Sequence, residues 1–288
     1  MSDTTARAAH RDNRHDFPRS DWWVPYLGAR LLRGHDSLGD RLDAVMLVAP
    51  PSTVVVGSTA ALLWGIPVPE RVERGPVHVN LPVKGFHIDR AEVLCHRRQI
   101  TSHEVTDRDG LRVTVPVRTL LDLGTELDTP ALVAAADYIL RHELATLPEL
   151  VDAAERCRRR RGIVKVREAL RYADPGAESP QESVMRYHLW SAGMTDLLPN
   201  RDIRDDRGRF LARGDLVDDR AKIVVEYDGL HHLTRETQLT DAERRLAVNL
   251  WGWFIVTVVA PDLREPHRVI AKVRSAYSTR RPPRHSTP

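Results

Sequence analysis

The sequence predicts two domains of mixed character, α+β followed by α/β, the second with a core of order α-β-β-β-α-β. Three observations predict it. The 288 residues exceed one typical domain. Asp174-Pro175-Gly176 breaks the apolar patterning as a linker does. The order of elements then changes on the far side of that break. The expected divisions are an extension at 1–20, a first domain at 21–173, a linker at 174–179, a second domain at 180–277 and a disordered tail at 278–288.

In the first domain, apolar spacing places a helix at Leu38–Val48 and a second over Ala60–Trp64, opened by Ser58 as N-cap and ended by Pro67 and Pro69. β-Rich runs follow at Val77–Leu81, Ala91–His96 and Leu111–Val115, bounded by Gly75, Pro82, Gly85 and the Asp109-Gly110 turn. From Val117–Leu123, Pro130–His142, Pro148–Arg159 and Ile163–Tyr172, Leu and Ala recur at three and four residues, which is helical spacing. Beyond the linker, a helix is expected at Pro180–Ala192. Strands are expected near Asn200–Arg204, Arg209–Val217 and Lys222–Asp228, then a helix at Asp241–Trp251, a strand at Trp253–Val258 and a last helix at Pro266–Tyr277.

Composition narrows the function classes. With 42% hydrophobic and 29% charged residues, no stretch approaches the roughly 20 apolar residues of a membrane span. The polar start MSDTTARAAHRDNRHDF lacks the apolar run of a secretory signal, so a cytoplasmic protein is expected. Cys95 and Cys157 are too few for a disulfide scaffold or a four-ligand zinc site. A net charge of +3, from 43 basic against 40 acidic residues, permits nucleic-acid binding without requiring it. Arg156, Arg158, Arg159, Arg160 and Arg161, followed by Lys165, Arg167 and Arg171, form either a phosphate-binding helix edge or a solvated helix face.

The chemistry-bearing residues cluster after the linker. If the hairpin from Phe210 to Asp228 turns at Asp218–Ala221, Asp215 sits opposite Glu226, a like-charged pair that is destabilising without a cation between. Alternation puts Glu226 and Asp228 on one face, with Ile223, Val225 and Tyr227 on the other. Three oxygen donors at the end of an apolar strand suit a hard cation, Mg²⁺ or Mn²⁺, which activates water and offsets charge on a phosphodiester. His231 or His232 follows as general base or phosphate contact. Glu182 completes a capping box begun by Ser179, yet it also heads the stripe Met185, Leu189, Ala192, so it serves as cap or reaches the cluster. Thr240-Asp241-Ala242-Glu243 repeats the box, with Leu246 and Leu250 as the buried stripe of that helix. Arg245 on its adjoining face, and Arg213, are expected at phosphates.

Glu182, Asp215, Glu226-Tyr227-Asp228-Gly229, the nearby histidines, Asp241…Arg245 and Gly252-Trp253 together resemble the PD-(D/E)XK nuclease superfamily, in its branch similar to very-short-patch-repair endonucleases. The resemblance covers 179–262 and implies a restriction-endonuclease-like core and Mg²⁺-dependent cleavage of DNA in repair or in defence against mobile elements. It implies Asp215 and Glu226 as metal ligands. Asp228 stands where the superfamily signature has Lys. The stretches Ser58-Thr-Ala-Ala-Leu-Leu-Trp-Gly65, Val77-His-Val-Asn80, Asp109-Gly110 and Pro116-Val-Arg-Thr-Leu-Leu-Asp122 are similar to AbiEi-type antitoxin and regulator domains. That resemblance implies DNA binding or a protein partner for the first domain. The alternative to an endonuclease is therefore a DNA-binding, antitoxin-like transcriptional regulator with an inactive nuclease fold.

Overall fold

The computed structural model describes residues 22–26, 29–32, 37–82, 88, 91–157, 159–229 and 244–280, the first two stretches by backbone alone. The chain forms two compact units that divide between Glu126 and Leu127. Residues 174–179, the expected linker, thus lie inside the second unit. Among the described residues, no helix is long and apolar enough to cross a membrane, and Cys95 and Cys157 are free thiols.

The first unit opens with an antiparallel hairpin, β1 (Trp22–Tyr26) and β2 (Ala29–Leu32). Helix α1 (Leu38–Val48) starts on a reciprocal cap between Ser37 and Asp40 and buries Leu42, Ala44 and Val45. The sheet beneath it has the order β5-β4-β3-β7-β6. Its strands are β3 (Val54–Val55), β4 (Val77–Asn80), β5 (Val93–His96), β6 (Val105–Arg108) and β7 (Leu111–Thr114). Between β3 and β4 lie α2 (Gly57–Trp64) and the short α3 (Glu70–Glu73), and α4 (Pro116–Leu123) follows β7. Val55, Val77, Val79, Val93 and Val113 form the core with α1. Strand β6 has no apolar alternation to announce it. Its pairing with β7 comes from the tight turn, where Asp109 and Gly110 both take positive φ, 52° and 78°.

One capping expectation is corrected. Ser58 is not the N-cap of α2, because the helix begins a residue earlier at Gly57, with Val56 before it. The N–H of buried Ser58, which has no partner within the helix, is met by the distant carboxylate of Glu126, at 3.1 Å. Gly57 has φ +59°, and a Cβ there would lie 2.3 Å from Glu126 Oε1, so only glycine fits under that carboxylate.

The second unit begins with helices α5 (Thr129–Arg141), α6 (Leu147–Arg156) and α7 (Ile163–Arg171), then α8 (Pro180–Ser191). Next come β8 (Leu198–Arg204), β9 (Phe210–Asp218) and β10 (Ile223–Asp228). Residues 244–250 are helical, here α9. Strand β11 (Phe254–Val259), α10 (Ala260–Arg264) and α11 (Pro266–Arg280) complete the unit. Sheet order is β11-β10-β9-β8, antiparallel except that β11 runs parallel to β10. The mixed α/β, two-unit character read from the sequence is therefore present. Ser278–Arg280, expected in the disordered tail, continue α11.

Both faces of this sheet are covered. Met185 and Leu189 of α8 and Val269 and Val273 of α11 pack on Leu216, Ile223 and Val225. Val248 of α9 and Trp253 pack on Ile203, Val217 and Val224 of the opposite face. A second expectation is corrected here: Leu246 and Leu250 are 60% and 76% exposed, while Val248 is buried. The helix presents Arg244 and Val248, four residues apart, to the sheet, which turns both leucines outward. Gly214 lets the strands close up, since a Cβ there would stand 2.5 Å from Val224 Cγ1.

The helices α5 and α8 are joined by a buried ion pair. Arg186, fully buried, bonds the carboxylate of Asp137 and the Tyr172 carbonyl, and its guanidinium lies 4.7 Å from the Trp190 ring centroid. Burial raises the Asp137 carboxyl, outweighing the pull of Arg186 in the other direction.

Candidate acidic site and its polar surroundings

The β9–β10 ladder pairs Ile223 with Asp218, Val224 with Val217 and Val225 with Leu216. Its next step is the Asp215–Glu226 pair expected from the sequence, and there the ladder ends. Instead of a backbone carbonyl, the Asp215 carboxylate accepts the Tyr227 N–H at 2.7 Å. Asp215 is thereby held where the two strands part. Burial raises its carboxyl to about 6; the Tyr227 N–H opposes this, the charges of Glu182 and Glu226 add to it, and Arg244 opposes it. Glu182 and Glu226 are thus each within electrostatic reach of Asp215.

Each of these acids already has partners. Glu226, buried at the β10 end, is gripped by Arg244, Nη1 to Oε1 at 3.0 Å and Nη2 to Oε2 at 3.1 Å. This fork-on-fork geometry is the strong form of an arginine–carboxylate pair. Glu182 accepts the Glu178 N–H at 2.8 Å and the Asn200 side-chain amide at 3.0 Å, both at Oε2. Its own N–H is capped by Ser179 at 3.2 Å, so the residue both belongs to the cap and faces the cluster. Asp228 is exposed at the strand end.

Asp215, Glu226 and Asp228 were the expected ligands of Mg²⁺ or Mn²⁺. Among the described residues no group of three or more His, Cys, Asp or Glu side chains is placed to hold a metal ion. The donor chemistry explains this, because both Glu226 oxygens are engaged by a guanidinium and Asp215 offers one oxygen to a backbone donor. As arranged among the described residues, Glu226 is committed to Arg244 and not to a cation. His231, His232 and the Thr240–Glu243 box lie outside the described residues.

The expected phosphate contacts disperse. Arg159 and Arg161 are exposed and Arg160 is half-buried in the α6–α7 connection. Lys165 donates its ammonium to the Leu127 carbonyl, and Arg167 closes the end of α6 through the Ala154 carbonyl at 2.9 Å. Arg245 reaches Thr257 Oγ1 at 3.5 Å, and Arg213 lies 3.5 Å from Glu178. Arg244, Asn200 and Glu178 escaped the sequence reading. For Arg244 a signal existed in its spacing of four from Val248, the apolar residue that α9 buries.

In the first unit, the polar residues of the antitoxin-like stretches form a half-buried network. Arg118 bonds Asp122 at 3.3 Å and Glu104 at 2.6 Å, and Arg98 bonds Asp122 at 2.5 Å. Asn80 and the Arg98 backbone exchange two bonds, 2.8 and 3.1 Å. His78 lies 3.2 Å from Glu126 and 3.3 Å from His96. Burial, then Arg98 and His78, depress His96 to about 4, so it is neutral at pH 7.

Comparison with known proteins places these features. Residues 53–172 match the AbiEi antitoxin C-terminal domain, a stretch that runs across the division at Glu126 and through α5 to α7. Uncharacterized protein MT2308 of Mycobacterium tuberculosis (strain CDC 1551 / Oshkosh) is 31% identical over 241 residues, covering 83% of this chain and 86% of its own. Uncharacterized protein Rv2248 of strain ATCC 25618 / H37Rv has the same identity and coverage. No solved structure matches.

Proposed function

The chain belongs to the family of these mycobacterial proteins and carries an AbiEi antitoxin C-terminal domain, and from that premise we propose a DNA-binding regulator of the antitoxin type whose acidic α/β unit binds without cutting. The observation that carries this reading is the Arg244–Glu226 fork, which gives the cluster its own cation. The net charge of +3 is compatible with a polyanionic partner.

A second reading, a Mg²⁺- or Mn²⁺-dependent endodeoxyribonuclease, is favoured by one observation, the convergence of Glu182, Asp215 and Glu226 where β9 and β10 part. It requires Arg244 to leave Glu226. Incubation with duplex, mismatched and single-stranded DNA, with Mg²⁺, Mn²⁺ or chelator, beside Asp215→Ala and Glu226→Ala, separates the two. The regulator is expected to bind DNA in a salt-sensitive way and leave it whole. Metal-dependent cleavage lost in both variants would overturn that reading in favour of the enzyme.

A further inference from the structure

An open cleft of about 590 Å³ lies within the second unit, against the end of α5, residues 175–178, β8 and β9. Two guanidiniums meet in it. Arg141 Nη2 and Arg213 Nη2 each stand 3.5 Å from the same atom, Glu178 Oε1. The three side chains are 39%, 54% and 45% exposed. Long, single-nitrogen contacts at that exposure hold weakly. Arg141 is also positioned by its Nη1, which donates to the Ala177 carbonyl at 3.1 Å.

The cleft adjoins the acidic cluster by direct bonds. Asn200, in its wall, donates to Glu182, and the Glu178 N–H donates to the same oxygen. A guanidinium carries five N–H donors in a planar fork, so one shared carboxylate oxygen leaves most of their capacity unused. A phosphate diester offers two unbridged oxygens, one for each fork, where Glu178 presents the same single oxygen to both.

We propose that Arg141 and Arg213 form a subsite for a backbone phosphate of duplex DNA, with Glu178 as the resident anion that the phosphate displaces. This rests on the DNA-binding reading above and gives it a place on the molecule. Arg141 comes from the segment matched to the antitoxin domain and Arg213 from β9, so the subsite joins the two parts of the sequence within one compact unit.

The test is duplex-DNA affinity across a salt series for the full chain and for Arg141→Ala, Arg213→Ala and Glu178→Ala. Each arginine variant should bind roughly tenfold more weakly at low salt and lower the slope of log affinity against log salt by about 0.9. Glu178→Ala should bind more tightly than the parent, an opposite sign that misfolding cannot produce. If the parent binds and all three variants match it in affinity and slope, the subsite is overturned and the regulator reading stands. If the parent binds no DNA, both fall. Binding of poly-glutamate instead of DNA, lost in the arginine variants, would overturn the phosphate subsite in favour of an acidic protein partner.

Discussion

At residue scale, half-buried Asp215 and fully buried Arg186 show how differently two charges are handled. Asp215 has its folded pKa raised to about 6, against about 3.9 in an unfolded chain. A raised acid contributes stability that is fully present below the unfolded value and lost as pH rises through the folded one. Above pH 6 the ionised side chain therefore opposes folding, by on the order of 2–3 kcal/mol at most. Asp215→Asn keeps an oxygen for the Tyr227 N–H and removes the charge. Its urea midpoint should exceed the parent's at pH 7.5 and converge with it near pH 4; a gap independent of pH would contradict this. Arg186 has its partners beside it, the Asp137 carboxylate and the Tyr172 carbonyl. Arg186→Met leaves Asp137 buried without its partner and should lower unfolding free energy by about 3–5 kcal/mol, with a smaller loss for the double replacement with Asp137→Asn.

At element scale, α9 and the β9–β10 hairpin carry the site. Since α9 turns Val248 inward and both leucines outward, Leu246→Lys and Leu250→Lys should each stay within about 0.5 kcal/mol of the parent, while Val248→Ala should cost about 1–3 kcal/mol. Equal losses at all three positions would restore the leucine stripe that spacing suggests. Gly214→Val drives a branched side chain into Val224 and Val217 and should destabilise by about 1–3 kcal/mol, read as a lower urea midpoint at unchanged slope. The hairpin register was legible because Asp218 and the residues after it have turn chemistry and the apolar run Ile223–Val225 bounds the strand. The split beyond Leu216 was not legible, because a side chain replaces a backbone acceptor there and no local pattern encodes that exchange.

At the scale of the whole molecule, the division falls after Glu126 and not at Asp174-Pro175-Gly176. Helices α5 and α7 need α8: α5 through Arg186–Asp137, and α7 through Glu168, whose carboxylate accepts the Tyr187 hydroxyl at 3.3 Å. A fragment starting at Leu127 should therefore melt cooperatively by circular dichroism, and one starting at Ser179 should melt at lower temperature with a broader transition. The Arg244–Glu226 fork makes a prediction of the same breadth. Millimolar Mg²⁺ should leave the parent's melting temperature unchanged, whereas Arg244→Ala, with Glu226 released beside Asp215, should become Mg²⁺-stabilised, by about 2.7 kcal/mol once Mg²⁺ reaches a hundredfold over its Kd. A Mg²⁺ shift in the parent itself would favour the endonuclease.

The sequence by itself determined most of the elements and the register of the hairpin up to Leu216: helix and strand periods, the Asp109-Gly110 turn and the mixed α/β order follow from spacing and turn chemistry, which act over a few residues. Tertiary structure alone decided what the acids face. That Arg244 rather than Arg245 grips Glu226, that Glu126 caps a helix 68 residues away in sequence, and that Arg141 meets Arg213 over Glu178 depend on chain segments brought together by burial. Burial is driven by apolar area without direction, so it sets which side chains become neighbours without leaving a local mark in the sequence.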